Sequence, residues 1–485
     1  MKLKYEKKII DSFHDQVTVS YCGFQVSRIV EKGIRKRLRG ANLKSSALDF
    51  DGVLRKAADR LSRARRLVRP REEALPWSPG DTLFVCHNET AFGGVLPLID
   101  EMTTQKVACT VILPEEARNW ASSRASVEDV KWVFGASLRE TPESGEIKAV
   151  VRAFKKQASA FLVQHQLRGA GPLRSDMVAH AKHALTRIEL IRGWIKRAEP
   201  DRIVVSQPKE EPLYHSLAGR LEGVPTVIVP HGVLRGGDVF RPAFYDLGLF
   251  DIGLVRSHRC AEIAQSLNPN IRTIVTGFSG LGSRSDHRRA PVSPVVPDEP
   301  GQEQRRERLQ VGMAADKDLQ DVKDVAAAAA RADVPLLVKG RPPGGDSDLL
   351  KEALGAHGAA KALPHEAISL HAFLASVTGV ICTRSNVAFH AAARGVPVIY
   401  WRGVKAQQTA AGPRSVDRSH IPKGLGVEDI ALESPRDLEE LVDILAKWHA
   451  AGPEALDQRR QMQIERYARW FPLYNPPVIV RSLLS

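Results

Sequence analysis

The chain is 485 residues long, 43% hydrophobic and 26% charged, with a formal net charge of +14. That length predicts two or three domains, and the composition is ordinary for a globular chain. No apolar run reaches the ~18 residues of a membrane span, the start Met1-Lys2-Leu3-Lys4 lacks a signal-peptide core, and the five cysteines show no CxxC or zinc-type spacing.

Scattered, odd-numbered cysteines lead to the expectation of reduced thiols and a cytoplasmic location. Residues 1–78 read as a basic helical extension, closed by Pro70, Pro76 and Pro79. Arg35–Arg39 and Arg60–Arg71 concentrate its charge. Such clusters in residues 1–75 suit an anionic membrane surface, which would place the protein at the inner face of the membrane. A solvated helical face explains them equally well. Nucleic acid is not expected as a partner, because no reader motif accompanies the clusters and aromatic residues are not interleaved with them.

Residues 79–277 change to alternating strands and helices. Strands are predicted at Thr82–Cys86, Val107–Leu113, Val130–Phe134, Arg202–Val205, Thr226–Val229, Ile252–Val255 and Ile271–Val275. A helix is expected from Val95, opened by Gly93-Gly94. A long helical region spans 144–197, and another helix covers Tyr214–Leu221. Residues 278–307 are a linker, with Pro291, Pro294, Pro297 and Pro300 excluding helix and central strand.

A second α/β series occupies 308–455. Its predicted strands are Leu309–Met313, Pro335–Val338, Gly379–Cys382 and Val396–Tyr400. Its helices are Asp318–Arg331, Leu370–Ser376 and Ser385–Arg394, followed by Pro435–Ala450 and Pro453–Phe471. Residues 456–485 are expected to pack back on the domains as a C-terminal helix. Strand–helix alternation argues for parallel sheets with right-handed crossovers, so the fold class is α/β with two Rossmann-like domains.

Chemistry in such sheets lies just past the carboxyl ends of strands. The apolar run Val224–Val229 ends in Pro230-His231-Gly232, which puts a titratable imidazole there, with a glycine allowing close approach. A turn histidine is the competing reading. Glu210 and Glu211 follow the strand at Arg202 and are candidate acid or base groups, or exposed loop charge. His87, Asn88, Gly93 and Gly94 follow the first strand.

In the second series, Thr383, Arg384, Ser385 and Asn386 lie between a strand and a helix. Hydroxyls, helix amides and a cation in one turn make a phosphate site, although Thr383 or Ser385 could simply cap the helix. Lys339 and Arg341 end another strand, with Pro342 and Pro343 behind them, and suit a diphosphate. Glu366 could accept from ribose hydroxyls or serve only as a helix-start acid. No HExxH, GxSxG or Walker sequence occurs, so no metal, serine-hydrolase or P-loop chemistry is expected.

Pro-His-Gly after the late strands of domain one, Val275-Thr276-Gly277, the basic strand end, and Thr-x-Ser before Ala391–Ile399 together resemble GT-B glycosyltransferases over about residues 80–450. The likeness is greatest to bacterial surface-polysaccharide transferases of the capsule and Kdo type and to CDP-glycerol glycerophosphotransferases. The resemblance implies a nucleotide-sugar donor of the CMP, CDP or UDP type in the second domain, no cofactor or metal, and a glycan or lipid-linked acceptor in the first. Carried over by position, Thr383, Ser385 and Asn386 would bind donor phosphate, with Lys339 and Arg341 beside them; Arg384 and Glu366 are donor-side candidates from their own residue types. His231 would sit at the reacting centre as base or phosphate ligand; Glu210 and Glu211 are further catalytic candidates, and His87, Asn88, Gly93 and Gly94 are candidates for the acceptor side. Arg341-Pro342 stands where the glycerophosphotransferases carry His-Pro, and arginine cannot transfer a proton. A UDP-GlcNAc 2-epimerase-like enzyme and a non-catalytic sugar-nucleotide or glycan-binding subunit are the alternatives.

Overall fold

The structure, a computed structural model, describes residues 12–22, 24–29, 77–117, 130–134, 144–165, 170–206, 210–230, 249–278, 310–314, 319–340, 347–355, 360–363, 370–383, 386–401, 425–472 and 474–485. Contacts divide the chain into two compact units. Unit one is Met1–Val229 with Leu247–Ile252, and unit two is Pro230–Asp246 with Gly253–Ser485.

In unit one, β1 (Thr82–Cys86) leads into α1 (Glu89–Thr104), and β2 (Cys109–Leu113) and β3 (Val130–Phe134) follow. Two antiparallel helices, α2 (Gly145–Gln164) and α3 (Ala170–Ala198), precede β4 (Arg202–Ser206), α4 (Glu211–Leu221) and β5 (Thr226–Ile228). These strands are parallel, in the order β3-β2-β1-β4-β5. Every residue of β1 and β2 is buried, as unbroken apolar runs require when both faces of a sheet are covered.

Three expectations change here. Gly93 and Gly94 do not open α1. They lie in its second turn, because Asn88 starts the helix earlier by accepting from Ala91 N at 2.8 Å. The long helical region expected at 144–197 divides into two helices, the first ending at Gln164. The described part of the basic extension belongs to the core of unit one. Ser20–Tyr21 and Phe24–Gln25 form a hairpin, and Phe13 meets Phe154 and Phe161 of α2 edge-on at 6.2 and 5.0 Å. Gln157 Oε1 accepts from Thr18 N and Val19 N at 2.8 and 3.2 Å, and Tyr21 donates to Glu189 of α3. Phe13, Val17, Tyr21, Val26 and Ile29 are all buried. Apolar residues at that spacing need a partner surface, and α2 and α3 supply it. The basic clusters at Arg35–Arg39 and Arg60–Arg71 lie outside the described residues.

Unit two carries the neighbouring strands β6 (Ile252–Val255) and β7 (Arg272–Val275), with α5 (His258–Leu267) between them in sequence. Its own sheet runs through β8 (Val311–Ala314), α6 (Leu319–Arg331), β9 (Leu336–Lys339), α7 (Ser347–Leu354), β10 (Ala360–Leu363), α8 (Leu370–Ala375), β11 (Gly379–Cys382), α9 (Val387–Ala393) and β12 (Val398–Tyr400). All five strands are parallel, in the order β10-β9-β8-β11-β12. Successive residues alternate between its faces. Met313, Ile381 and Ile399 join α6 and α10 (Leu438–Ala450) in one core, whereas Val380, Cys382, Val398 and Tyr400 join α9 and Phe278 in the other.

Gly379 begins β11 because a Cβ there would sit 2.8 Å from the Trp448 ring. The chain closes with α11 (Pro453–Ala468) and α12 (Pro476–Leu484), two helices in place of the single terminal one expected, divided around Pro472 and Pro476. The linker at 279–307 lies outside the described residues. Among the described residues no helix is long and apolar enough to cross a membrane.

Phe13→Ala removes a ring buried against two others. It is expected to destabilise unit one by about 3–5 kcal/mol, measured by urea denaturation. An unchanged midpoint would show that residues 12–29 do not belong to this core.

Candidate functional site

Both sheets start in the middle. In unit one the chain lays down β1, adds β2 and β3 on one side, then returns to place β4 on the other. In unit two β8 is followed by β9 and β10, then by β11 on the opposite flank. The carboxyl ends of β1 and β4, and of β8 and β11, are therefore topological switch points, where crossovers diverge and leave a crevice.

At the switch point of unit one, Cys86 pairs with Ser206. Beyond Cys86 come His87 and Asn88, and Asn88 Nδ2 donates to His87 Nε2 at 3.1 Å. Asn88 Oδ1 is already engaged in capping α1. Beyond Ser206, residues 207–209 are not described, and Glu210 follows with φ of +54°. A non-glycine residue in that region carries strain of about 1–3 kcal/mol. Gly93 and Gly94 sit inside α1 rather than in the loop.

Glu211 opens α4 and takes a bidentate ion pair from Arg187 of α3, at 2.7 and 3.0 Å. Arg187 also lies over the Trp194 ring, 5.9 Å from its centroid. One turn later His215, 1% exposed, places Nδ1 2.9 Å from the Glu211 carbonyl oxygen and 3.8 Å from Glu211 Oε2. Burial holds the imidazole below its ordinary value despite the pull of the carboxylate. Sequence reasoning singled out Glu211 but missed Arg187 and His215. The Glu–His i,i+4 spacing was the available signal for the second.

In unit two Met313 pairs with Ile381 across the switch point, and Ala314 pairs with Lys339 on the other flank of β8. Lys339 ends β9 and is only 5% exposed. Thr383 directly follows β11 and is 4% exposed, and its Oγ1 makes no hydrogen bond among the described residues. The fold thus brings Lys339 and Thr383 to strand ends on either flank of β8. Thr383 does not cap α9, as one reading of the sequence had it. The helix begins after Asn386, whose backbone is already helical and whose side chain makes no cap hydrogen bond. His231, Arg341, Glu366, Arg384 and Ser385 lie outside the described residues.

Two thiols also stand at these ends, Cys86 closing β1 and Cys382 closing β11. Burial pushes both up, Cys382 to about 12, so neither is poised as a nucleophile. A cavity of about 480 Å³ opens elsewhere in unit two, lined in part by Glu433, Lys447, Trp448 and Arg459. Because Trp448 packs on Gly379, that cavity is at the amino end of β11, away from the switch point.

No family model matches this sequence, and no curated protein does. The structure is similar to that of a UDP-GlcNAc 2-epimerase from Neisseria meningitidis bound to UDP-GlcNAc. The TM-score is 0.53 at 12% identity, over 83% of this chain and 99% of that one. It is also similar to a putative UDP-N-acetylglucosamine 2-epimerase from Listeria monocytogenes, with a TM-score of 0.50 at 15% identity, over 84% and 95%. A glycosyltransferase from Rickettsia africae gives 0.49 at 11% identity, over 84% and 97%. The chain has the GT-B fold. Two parallel sheets flanked by helices are the two Rossmann-like domains that the sequence led us to expect, and at these identities the likeness establishes fold alone.

His215 yields a test of the Arg187–Glu211–His215 arrangement. A histidine whose folded value is depressed contributes stability that is full above its unfolded value near 6.5 and is lost as pH falls below it. The stability difference between wild type and His215→Asn should therefore be flat above that pH. Below it, the difference should shrink by at most about 1.4 kcal/mol per pH unit. A pH-independent difference in denaturation titrations would mean that His215 titrates as freely folded as unfolded.

Proposed function

We propose that this protein is a sugar-nucleotide-dependent GT-B glycosyltransferase, with the donor nucleotide held by unit two and a glycan or lipid-linked acceptor by unit one. The observation that carries this reading is the pair of buried polar residues at the ends of the two strands that flank the second sheet's central strand. Lys339 supplies a cation and Thr383 a desolvated hydroxyl without a partner among the described residues. A buried donor that lacks an acceptor costs about 1–3 kcal/mol. A phosphate oxygen bound there would relieve that cost.

The chemistry asked of the protein is modest. An acceptor hydroxyl oxygen attacks the anomeric carbon, the bond from that carbon to the phosphate oxygen breaks, and the nucleotide leaves with the electron pair. The hydroxyl proton passes to a base, the role we assign to His231. Lys339 and Thr383, with Arg341, Arg384, Ser385 and Asn386, stabilise the charge that grows on the leaving phosphate. His87, Asn88 and Glu210 at the first switch point are the groups we assign to the acceptor. Glu211 has both carboxylate oxygens on Arg187, so its role is to orient that arginine. Arg35–Arg39 and Arg60–Arg71 would dock the enzyme on the anionic cytoplasmic membrane face, where a lipid-linked precursor of a cell-surface glycan resides.

A second reading is a UDP-GlcNAc 2-epimerase-like activity. It is favoured by the similarity that spans 99% of the Neisseria meningitidis epimerase. The two readings differ in product. An epimerase converts UDP-GlcNAc alone, whereas a transferase releases nucleotide only when an acceptor is present.

Thr383→Val keeps the shape of the side chain and removes its hydroxyl. Without ligand its thermal midpoint should equal or exceed that of wild type, because an unbonded buried hydroxyl is lost. In a panel of CMP, CDP, UDP, GDP and UDP-GlcNAc, one nucleotide class should raise the wild-type midpoint by mass action. The variant should bind that class roughly 10–100-fold more weakly, as loss of a hydrogen bond to a charged group implies. No shift with any nucleotide in the wild type would sink the donor-site assignment and favour a non-catalytic glycan-binding role.

A further inference from the structure

The cavity of about 480 Å³ in unit two takes no part in the site described above. Its walls come from α10, from α11 and from the segment at Glu433. Glu433 runs beside β12, where Tyr400 N donates to its carbonyl oxygen at 2.8 Å. Trp448 is buried and lies against Gly379 at the amino end of β11. Arg459 of α11 lies over the Trp448 ring, 5.2 Å from its centroid. One wall is therefore a guanidinium laid on an indole.

Arg459 lacks what a half-buried cation needs. Its Nη1 is closed to solvent and makes no hydrogen bond, and no carboxylate pairs with it, among the described residues. Burial holds the group below its ordinary value, while the charge of Glu433 pulls the other way. Arginine keeps its proton regardless, so the charge stays without a counter-ion. A packed apolar side chain on the indole would avoid that loss. The remaining charges around the cavity balance. Arg436 Nε pairs with Glu440 at 3.1 Å. That leaves Arg459 and Lys447 as cations, and Glu433 and Asp443 as carboxylates. Two carboxylates repel a polyanion, and Arg459 repels a cation. The occupant that suits all four groups has one anionic end for the cations and neutral hydroxyl donors for the carboxylates.

We propose that this cavity binds a small polyhydroxylated anion, a sugar acid or a sugar phosphate, with its anionic group on Arg459 and Lys447 and its hydroxyls donating to Glu433 and Asp443. A guanidinium can stay stacked on the ring and still meet a carboxylate or phosphate with its fork. The volume is near the small end of ligand pockets, which run from about 300 to 1,000 Å³, and suits a monosaccharide better than a nucleotide sugar. The cavity lies at the amino end of β11, whereas Thr383 follows its carboxyl end, so the two sites are separate. Occupancy of the cavity does not depend on whether the protein transfers sugar.

The test follows the thermal midpoint of the full chain with glucuronate, glucose 6-phosphate, inorganic phosphate and glucose. Glucuronate, glucose 6-phosphate or both should raise the wild-type midpoint by mass action, and the stronger of the two tells acid from phosphate. Glucose should have no effect, and inorganic phosphate should bind more weakly than the sugar anion because it brings no sugar hydroxyls. Arg459→Met keeps an apolar stem on Trp448 and removes the unpaired charge. Without ligand its midpoint should match or exceed that of wild type, and it should bind the sugar anion roughly 10–100-fold more weakly. Lys447→Ala, at an exposed position, should fold normally and weaken binding by about 2–5-fold. Thr383→Val should bind the sugar anion as wild type does. No shift with either sugar anion, or a shift that survives intact in Arg459→Met, would overturn the proposal. So would a shift abolished by Thr383→Val, since the anion would then occupy the strand-end site. Inorganic phosphate acting as strongly as the sugar anion would mean an adventitious ion only, and would overturn it as well.

Discussion

A parallel strand buried on both faces can offer polar chemistry only at its ends. β1, β2 and β11 are buried along their whole length, so no titratable side chain can sit on a sheet face without losing its hydration. Everything functional must collect where the strands stop, and the crossovers choose which stops are open. In each of the two large parallel sheets the first strand laid down is interior, and the chain reverses its direction of growth once. That single reversal sets His87 and Asn88 beyond β1, Glu210 beyond the neighbouring β4, and Lys339 and Thr383 at strand ends on either flank of β8.

Burial also decides which polar residues matter. Arg187 and Arg256 are both nearly enclosed, and their solutions differ. Arg187 meets a carboxylate with both ends of its fork, and the pair sits against Trp194. Arg256 meets carbonyl oxygens and an aromatic face. The first arrangement ties α3 to the start of α4, one turn before the buried His215. The second spends a charge on backbone geometry. A guanidinium can serve either end because its donors are fixed in a plane and each can find a separate acceptor.

The sheets were legible in the sequence because their signal is strong and local. Thr82–Cys86, Val130–Phe134, Ile252–Val255 and Gly379–Cys382 are short apolar runs bounded by turn residues, and each is a strand with those limits. β10 was missed because Ala-Lys-Ala-Leu has neither β-branching nor a continuous apolar face. α7 was missed because it follows a stretch rich in proline and glycine that reads as loop. The start of α9 was misplaced because Thr383 and Ser385 both look like caps, and a pattern of residue types does not say which backbone turns first. Residues 12–29 were misread because a strong basic composition nearby masked five apolar positions that need burial. Arginines 187 and 256 could not be recognised at all. Nothing local distinguishes an arginine that will be buried from one that will be solvated, since the difference is made by α4 in one case and by Pro230 and Gly277 in the other.

The places where local rules fail are the same in both units. Glu210 holds a positive φ that a side chain disfavours, at the end of β4. Thr383 keeps a buried hydroxyl without a partner among the described residues, at the end of β11. Each costs the folded state on the order of 1–3 kcal/mol, and neither cost is forced by the sheet, whose own hydrogen bonding ends one to four residues earlier. A stability-driven sequence would carry glycine or asparagine at the first position and valine at the second. The backbone strain at Glu210 and the unmet hydroxyl of Thr383 each stand beyond a strand end at the switch point of their own unit. Local rules yield at such positions where a ligand supplies what the chain lacks, and on that ground the proposed site rests on the strand ends rather than on the sheet faces.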